Sequence, residues 1–171
     1  MTSAAISTLP HPMIGVPLFE NPLDIPVLTI HFVADENPEN LGDPRAGLEP
    51  TNHWSLFLAT GSASSVRVEV VPNAPGSPGM VVLESKRCAV TGTTPDVLEV
   101  IIAKKRDKYI LAPVGEGCRF WLHTVVDDLA DAGIVSRADA VETQECLAKY
   151  WFFPKGTGSV ARPITKGTFF G

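Results

Sequence analysis

Short stretches of alternating apolar and polar residues fill the first half of this chain, and helical stripes fill the second. Residues 26–34 (PVLTIHFVA) are apolar on both faces and predict a first, central strand. Residues 52–60 (NHWSLFLAT) predict a second strand, with a turn over 61–65. Residues 65–71 (SVRVEVV) alternate with the period of two of a half-exposed third strand. A fourth is expected over 80–86 (MVVLESK), running on through Cys88. Thr94 is then placed as an N-cap, with Pro95 at the first helical position and Asp96 where the helix dipole favours an acid. Val97, Leu98, Ile101 and Ile102 form that helix's apolar stripe.

A short strand at 109–112 precedes the clearest helical signal. Cys118, Trp121, Leu122, Val125, Val126 and Leu129 recur at core-facing spacing over 118–132, and Gly133 supplies the stop. A third helix is expected from the N-cap Ser136, with Asp139 three residues on, to about residue 151. The tail 154–171 reads as irregular. The fold class that follows is α+β: an antiparallel sheet of about four to five strands packed by about three helices.

Prolines at 10, 12, 17, 22 and 26 deny residues 1–26 both helix and central strand, so these read as an extended arm before a single domain over 27–171. The polar stretch 35–51 (DENPENLGDPRAGLEPT) is long for a plain connector and is read as a functional flap. With 171 residues and an apolar fraction of 44%, one cored domain is the natural outcome. The net charge of −5, from 14 basic and 19 acidic residues, argues against nucleic-acid binding. The basic run Lys104, Lys105, Arg106 and Lys108 reads as the solvated end of a helix. No apolar run is long enough to span a bilayer, and no leader pattern opens the chain, so a cytoplasmic setting is expected.

Cys88, Cys118 and Cys146 are too scattered for a disulfide framework or a metal site, and neither metal nor cofactor is expected. Position, however, separates Cys118 from the other two. It opens a helix, where unpaired N–H groups and the dipole favour a thiolate, and its own N–H could serve as an oxyanion donor. Gly115 and Gly117 leave the approach open. Cys88 and Cys146 read as structural. His53, at the mouth of a strand, is the best partner for the thiol. His31 reads as a core residue, His123 as lying on another helix face, and His11 as part of the arm.

The third member, which would orient the imidazole, is Glu69 or Asn73. If residue 53 faces residue 71, Glu69 stands on the histidine's side of the sheet; a slip of one residue sends it to the other. Trp54, Glu116, Arg119 and Trp121 are candidates for holding substrate. Glu116 could move protons, and Arg119, unfavourable to the dipole where it stands, could serve an anionic substrate.

The order His-Trp strand, antiparallel strand, helix, Cys-helix, carried by Asn52-His53-Trp54 and Gly117-Cys118 with Phe120, resembles the circularly permuted branch of the NlpC/P60 papain-like superfamily. That resemblance implies a permuted papain-like fold and thiol chemistry. The chain lacks that superfamily's acyltransferase features of a second histidine on the following strand and an Asn before the cysteine. Over 28–170, the segments TNHWSLFL, SVRVEV, RDKY, GEGCRFW and YWF resemble a family of small uncharacterised fungal proteins. The expected function is a cofactor-independent cysteine hydrolase or acyl/amide transferase acting on a small molecule or peptide. The alternatives are an isomerase or cyclase of fungal secondary metabolism, using Cys118 or Glu116 for proton transfer, and a binding domain lined by Trp54, Phe120 and Trp121.

Overall fold

The computed structural model describes residues 26–37, 42, 45, 49–71, 80–85 and 95–171. Four antiparallel strands, β1 (Thr29–Asp35), β2 (His53–Gly61), β3 (Ser64–Val71) and β4 (Met80–Ser85), lie side by side in sequence order. Helices α1 (Pro95–Ala103), α2 (Cys118–Asp131) and α3 (Arg137–Leu147) follow. Two short ribbons complete the domain. One pairs β5 (Tyr109–Ile110) with β8 (Thr168–Phe169), the other β6 (Lys149–Trp151) with β7 (Ser159–Ala161). The α+β class thus holds, with antiparallel sheets and three helices among the described residues.

The period of two in β2 and β3 decides which side chains enter the core. Trp54, Leu56, Leu58, Val66, Val68 and Val70 share one face and are buried. Against them pack Trp121, Leu122, Val125 and Leu129 of α2 and Val97, Leu98 and Ile101 of α1. At roughly 1.5–3 kcal/mol for each large apolar side chain buried, this shared cluster dominates the stabilisation of the domain. The two strands are joined by a tight turn, with a register shift between Ala59 and Gly61.

Several expectations change in the structure. β1 lies at the edge of the sheet rather than at its centre, and His31, expected in the core, is exposed. Only its alternate residues Ile30, Phe32 and Ala34 pack inward, since Thr29 and His31 occupy the outer face. The third helix stops at Leu147, because Lys149–Trp151 extends to pair with β7. The tail is correspondingly more ordered than irregular.

Nor is the basic run wholly solvated. Arg106 forms a bidentate pair with Asp128, at 2.5 and 3.2 Å, and stacks over Phe169. The N-cap reading at Ser136 does hold: its Oγ accepts from the Asp139 N–H at 3.0 Å. The arm up to residue 25, Asn73, Cys88 and Thr94 lie outside the described residues, as does most of the expected flap.

Candidate functional site

Leu56 pairs with Val68, so one step along the ladder puts Ser55 opposite Glu69, and two more put His53 opposite Val71. His53, Ser55 and Glu69 therefore project from the same face, the one turned away from the apolar core. Glu69, buried to 6% exposure, is the acceptor of three bonds. Its Oε2 accepts from His53 Nε2 at 2.7 Å and from Ser55 Oγ at 3.0 Å, and its Oε1 lies 3.0 Å from Arg67 Nη2. A buried carboxylate needs this degree of satisfaction to stay charged. Burial alone pushes the Glu69 carboxyl up, but the His53 hydrogen bond, the Arg67 charge and the Ser55 hydroxyl outweigh it and hold the group below its ordinary range.

Cys118 reaches the same ring from the other side of the site. The first residue of α2, it borders the same cavity as the imidazole. Its thiol is half-buried, and it lines a small cavity of about 50 Å³ together with His53, Glu116, Thr165 and Leu111. The His53 pKa is pushed up to about 10, chiefly by the hydrogen bond with Cys118 and then by that with Glu69; together they overcome a burial effect of opposite sign. A pKa raised this far favours the protonated ring at neutral pH, with its Nε2 on the Glu69 carboxylate.

The backbone at the cysteine is held by contacts the sequence pattern did not reveal. Gly117 has φ +143°, a region that disfavours a side chain, and a Cβ there would meet Tyr109 Oη at 2.8 Å. The Tyr109 hydroxyl donates to the Gly117 carbonyl at 2.9 Å and accepts from the Gly167 N–H at 2.9 Å. Burial pushes this phenol up to about 12, so it remains a donor. One fully buried ring thereby ties the helix start to the C-terminal tail. Trp121 N–H closes the first turn of α2 on the Gly117 carbonyl at 2.9 Å.

The other expected site residues have different surroundings. Glu116 accepts from Arg162 Nη2 at 2.9 Å and from Thr165 Oγ1 at 2.5 Å. Arg162 also donates to the carbonyls of Pro50 and Glu49, fastening the end of the 35–51 segment beside the cavity. Arg119 touches the cavity but is only 3% exposed, and it faces the chain rather than an open site. Its Nη1 donates to the Leu147 and Arg162 carbonyls at 3.2 and 3.0 Å, and its Nη2 to that of Pro163 at 2.8 Å. Burial, with the nearby Arg162 charge, draws its pKa below the ordinary arginine value.

Trp121 is fully buried in the core and donates from Nε1 to the Arg106 carbonyl at 2.6 Å. Trp54, next to His53 along the strand, points to the opposite face. Asn52 reinforces the strand mouth, since its amide exchanges two hydrogen bonds with the Trp151 backbone, at 2.7 and 3.0 Å. Gln144 is the hydrogen-bonding neighbour of His123, which stands apart from Cys118. Among the described residues no group of three or more His, Cys, Asp or Glu could hold a metal ion. No helix among them is long and apolar enough to cross a membrane.

Comparison with curated proteins and with solved structures finds no match. A family model described as a domain of unknown function (DUF7770) matches residues 30–170, a span that contains His53, Glu69 and Cys118. The chain belongs to that family.

Proposed function

We propose that the protein is a cofactor-independent cysteine hydrolase or acyl/amide transferase acting on a small molecule or peptide. The observation that carries this reading is one imidazole that bonds the buried Glu69 carboxylate at 2.7 Å and shares a small cavity with the Cys118 thiol at the helix start. Cys118 is the nucleophile, His53 the proton carrier and Glu69 the group that orients the ring and balances its charge. The sulfur attacks a carbonyl carbon as a thiolate, opposite the imidazolium. The carbonyl π electrons move to oxygen, and the Cys118 N–H at the helix start donates to the resulting oxyanion. Collapse expels the leaving amine or alkoxide, which takes its proton from His53. Water or an acceptor amine, deprotonated by the now neutral ring, releases the acyl group and restores the thiol pair.

The order of a histidine strand before a cysteine helix is compatible with a permuted papain-like arrangement, which we adopt as part of the same proposal. The isomerase or cyclase reading has less support. It would employ Cys118 or Glu116 for proton transfer, and both carboxylate oxygens of Glu116 already accept hydrogen bonds, from Arg162 and Thr165. Selective chemistry at one thiol tests the proposal. Iodoacetamide at pH about 6 to 7, where an ordinary thiol is scarcely ionised, is expected to label Cys118 far faster than the equally half-buried Cys146. An activated ester such as p-nitrophenyl acetate is expected to leave an acetyl group on Cys118, seen by peptide mass spectrometry and slowed in His53→Ala. Equal, slow labelling of both cysteines would sink the thiol-enzyme reading.

A further inference from the structure

A large concavity bordered by described residues lies on the other side of β2 from the thiol site. It has a volume of about 1180 Å³. Helices α1 and α2 pack on β2 and β3, while the inner face of the edge strand β1 is only partly packed. Ile30 and Phe32 form one wall; Val126, Ile134, Trp151 and Phe153 face them. Apolar surface of this extent, concave and lined by aromatics, is the usual form of a small-molecule site rather than a packing fault.

Two features describe what would fill it. The first is Trp54. Its indole borders the groove and is only 3% exposed, and its Nε1–H has no hydrogen-bond partner among the described residues. A buried donor left unmade costs about 1–3 kcal/mol, so an occupant whose acceptor oxygen draws the indole toward this wall gains a bond that the described residues do not supply. The second is the charge around the rim, where Asp96, Asp139 and Glu142 stand against Lys155. An acidic rim repels anions.

We infer that this groove is a second ligand site, for an elongated, largely apolar molecule bearing a carbonyl or ether oxygen, neutral or cationic rather than anionic. It is separate from the Cys118 cavity: Trp54 and His53 are consecutive on β2 and project from opposite faces of the sheet. Cys146, half-buried on α3, also lines the groove and so reports on its occupancy.

The test uses the full chain and two dyes, Nile red (neutral, with a ring carbonyl) and 1-anilinonaphthalene-8-sulfonate (anionic). Nile red is expected to bind saturably at one site per chain with blue-shifted emission. It should slow iodoacetamide labelling of Cys146 while leaving that of Cys118 unchanged. The anionic dye should bind about tenfold or more weakly, a difference of about 1.4 kcal/mol. Removing the indole donor in Trp54→Phe should weaken Nile red about three- to tenfold, the span of one hydrogen bond. Thr143→Phe, placed on a partly exposed helix position that borders the groove, should abolish binding even if Trp54→Phe fails to fold. The same titration in Cys118→Ala should give unchanged affinity, so the groove stands or falls independently of the thiol chemistry. Absence of saturable Nile red binding, tighter binding of the anionic dye, unchanged affinity in Thr143→Phe, or protection of Cys118 instead of Cys146 would each overturn the inference.

Discussion

Replacing Glu69 by glutamine is the change that asks most directly whether the carboxylate holds His53 charged. Glutamine keeps the shape and an acceptor oxygen 2.7 Å from His53 Nε2 but removes the negative charge. A hydrogen bond to a charged group contributes about 1.5–3 kcal/mol net, and one pKa unit corresponds to about 1.36 kcal/mol. The ring should therefore titrate about one to two units lower in Glu69→Gln than its value of about 10 in the unaltered protein. It should not return to the ordinary 6.5, because the bond to Cys118, the larger contributor, remains.

Histidine ring nitrogen shifts followed by NMR across the alkaline range give this number directly, and denaturant unfolding at the same pH values gives its thermodynamic counterpart. A raised folded-state pKa means that the native state holds the proton more tightly. The stabilisation is then fully present below 6.5 and is lost as pH rises through about 10. In Glu69→Gln that loss should be complete about one to two pH units sooner. Glu69 itself has the opposite sign. Its carboxyl is held below 4.5, so its contribution is present above that value, disappears as pH falls through the lowered pKa, and should be missing from the acid limb of the variant. A His53 ring that titrates identically in both proteins, or near 6.5 in the unaltered one, would refute the reasoning.

Further expectations follow from the same geometry. Gly117→Ala combines a disfavoured φ of +143° with a Cβ 2.8 Å from Tyr109 Oη and 3.1 Å from Leu111 Cδ2, and should cost about 2–4 kcal/mol in urea unfolding. Tyr109→Phe keeps the ring but removes the bonds to Gly117 and Gly167; a loss of about 1–3 kcal/mol is expected, with slower alkylation of Cys118 as the helix start loosens. Arg119→Met should destabilise the fold by at least about 3 kcal/mol, because carbonyls of Leu147, Arg162 and Pro163 lose a charged donor together. An Arg119→Met protein of unchanged stability would return that guanidinium to the list of groups available to a substrate. Arg162→Ala should remove the ion pair to Glu116 and release the backbone at residues 49–50, which limited proteolysis around that segment would register as faster cleavage.

Local pattern carried much of this architecture. The alternation in SVRVEVV and the helical stripe from Cys118 to Leu129 depend only on side-chain direction along one element, so a single chain displays them. That is also why Cys118 at a helix start and His53 at a strand mouth were legible. The third position was not. With a side-chain period of two, a slip of one residue between β2 and β3 would have turned Glu69 into the core, and only the pairing of Leu56 with Val68 sets it beside Ser55 and His53.

The β1 strand misled in a related way: its apolar run looks central, yet its place at the sheet edge depends on what its neighbours cover. The long-range hydrogen bonds of buried polar side chains were out of reach. Arg119 faces carbonyls 28 to 44 residues further along the chain, Tyr109 meets a glycine 58 residues away, and Asn52 pairs with Trp151 across 99. Local propensity sees the few residues around a position. Which backbone groups a buried polar side chain meets is decided only when distant segments are packed against it.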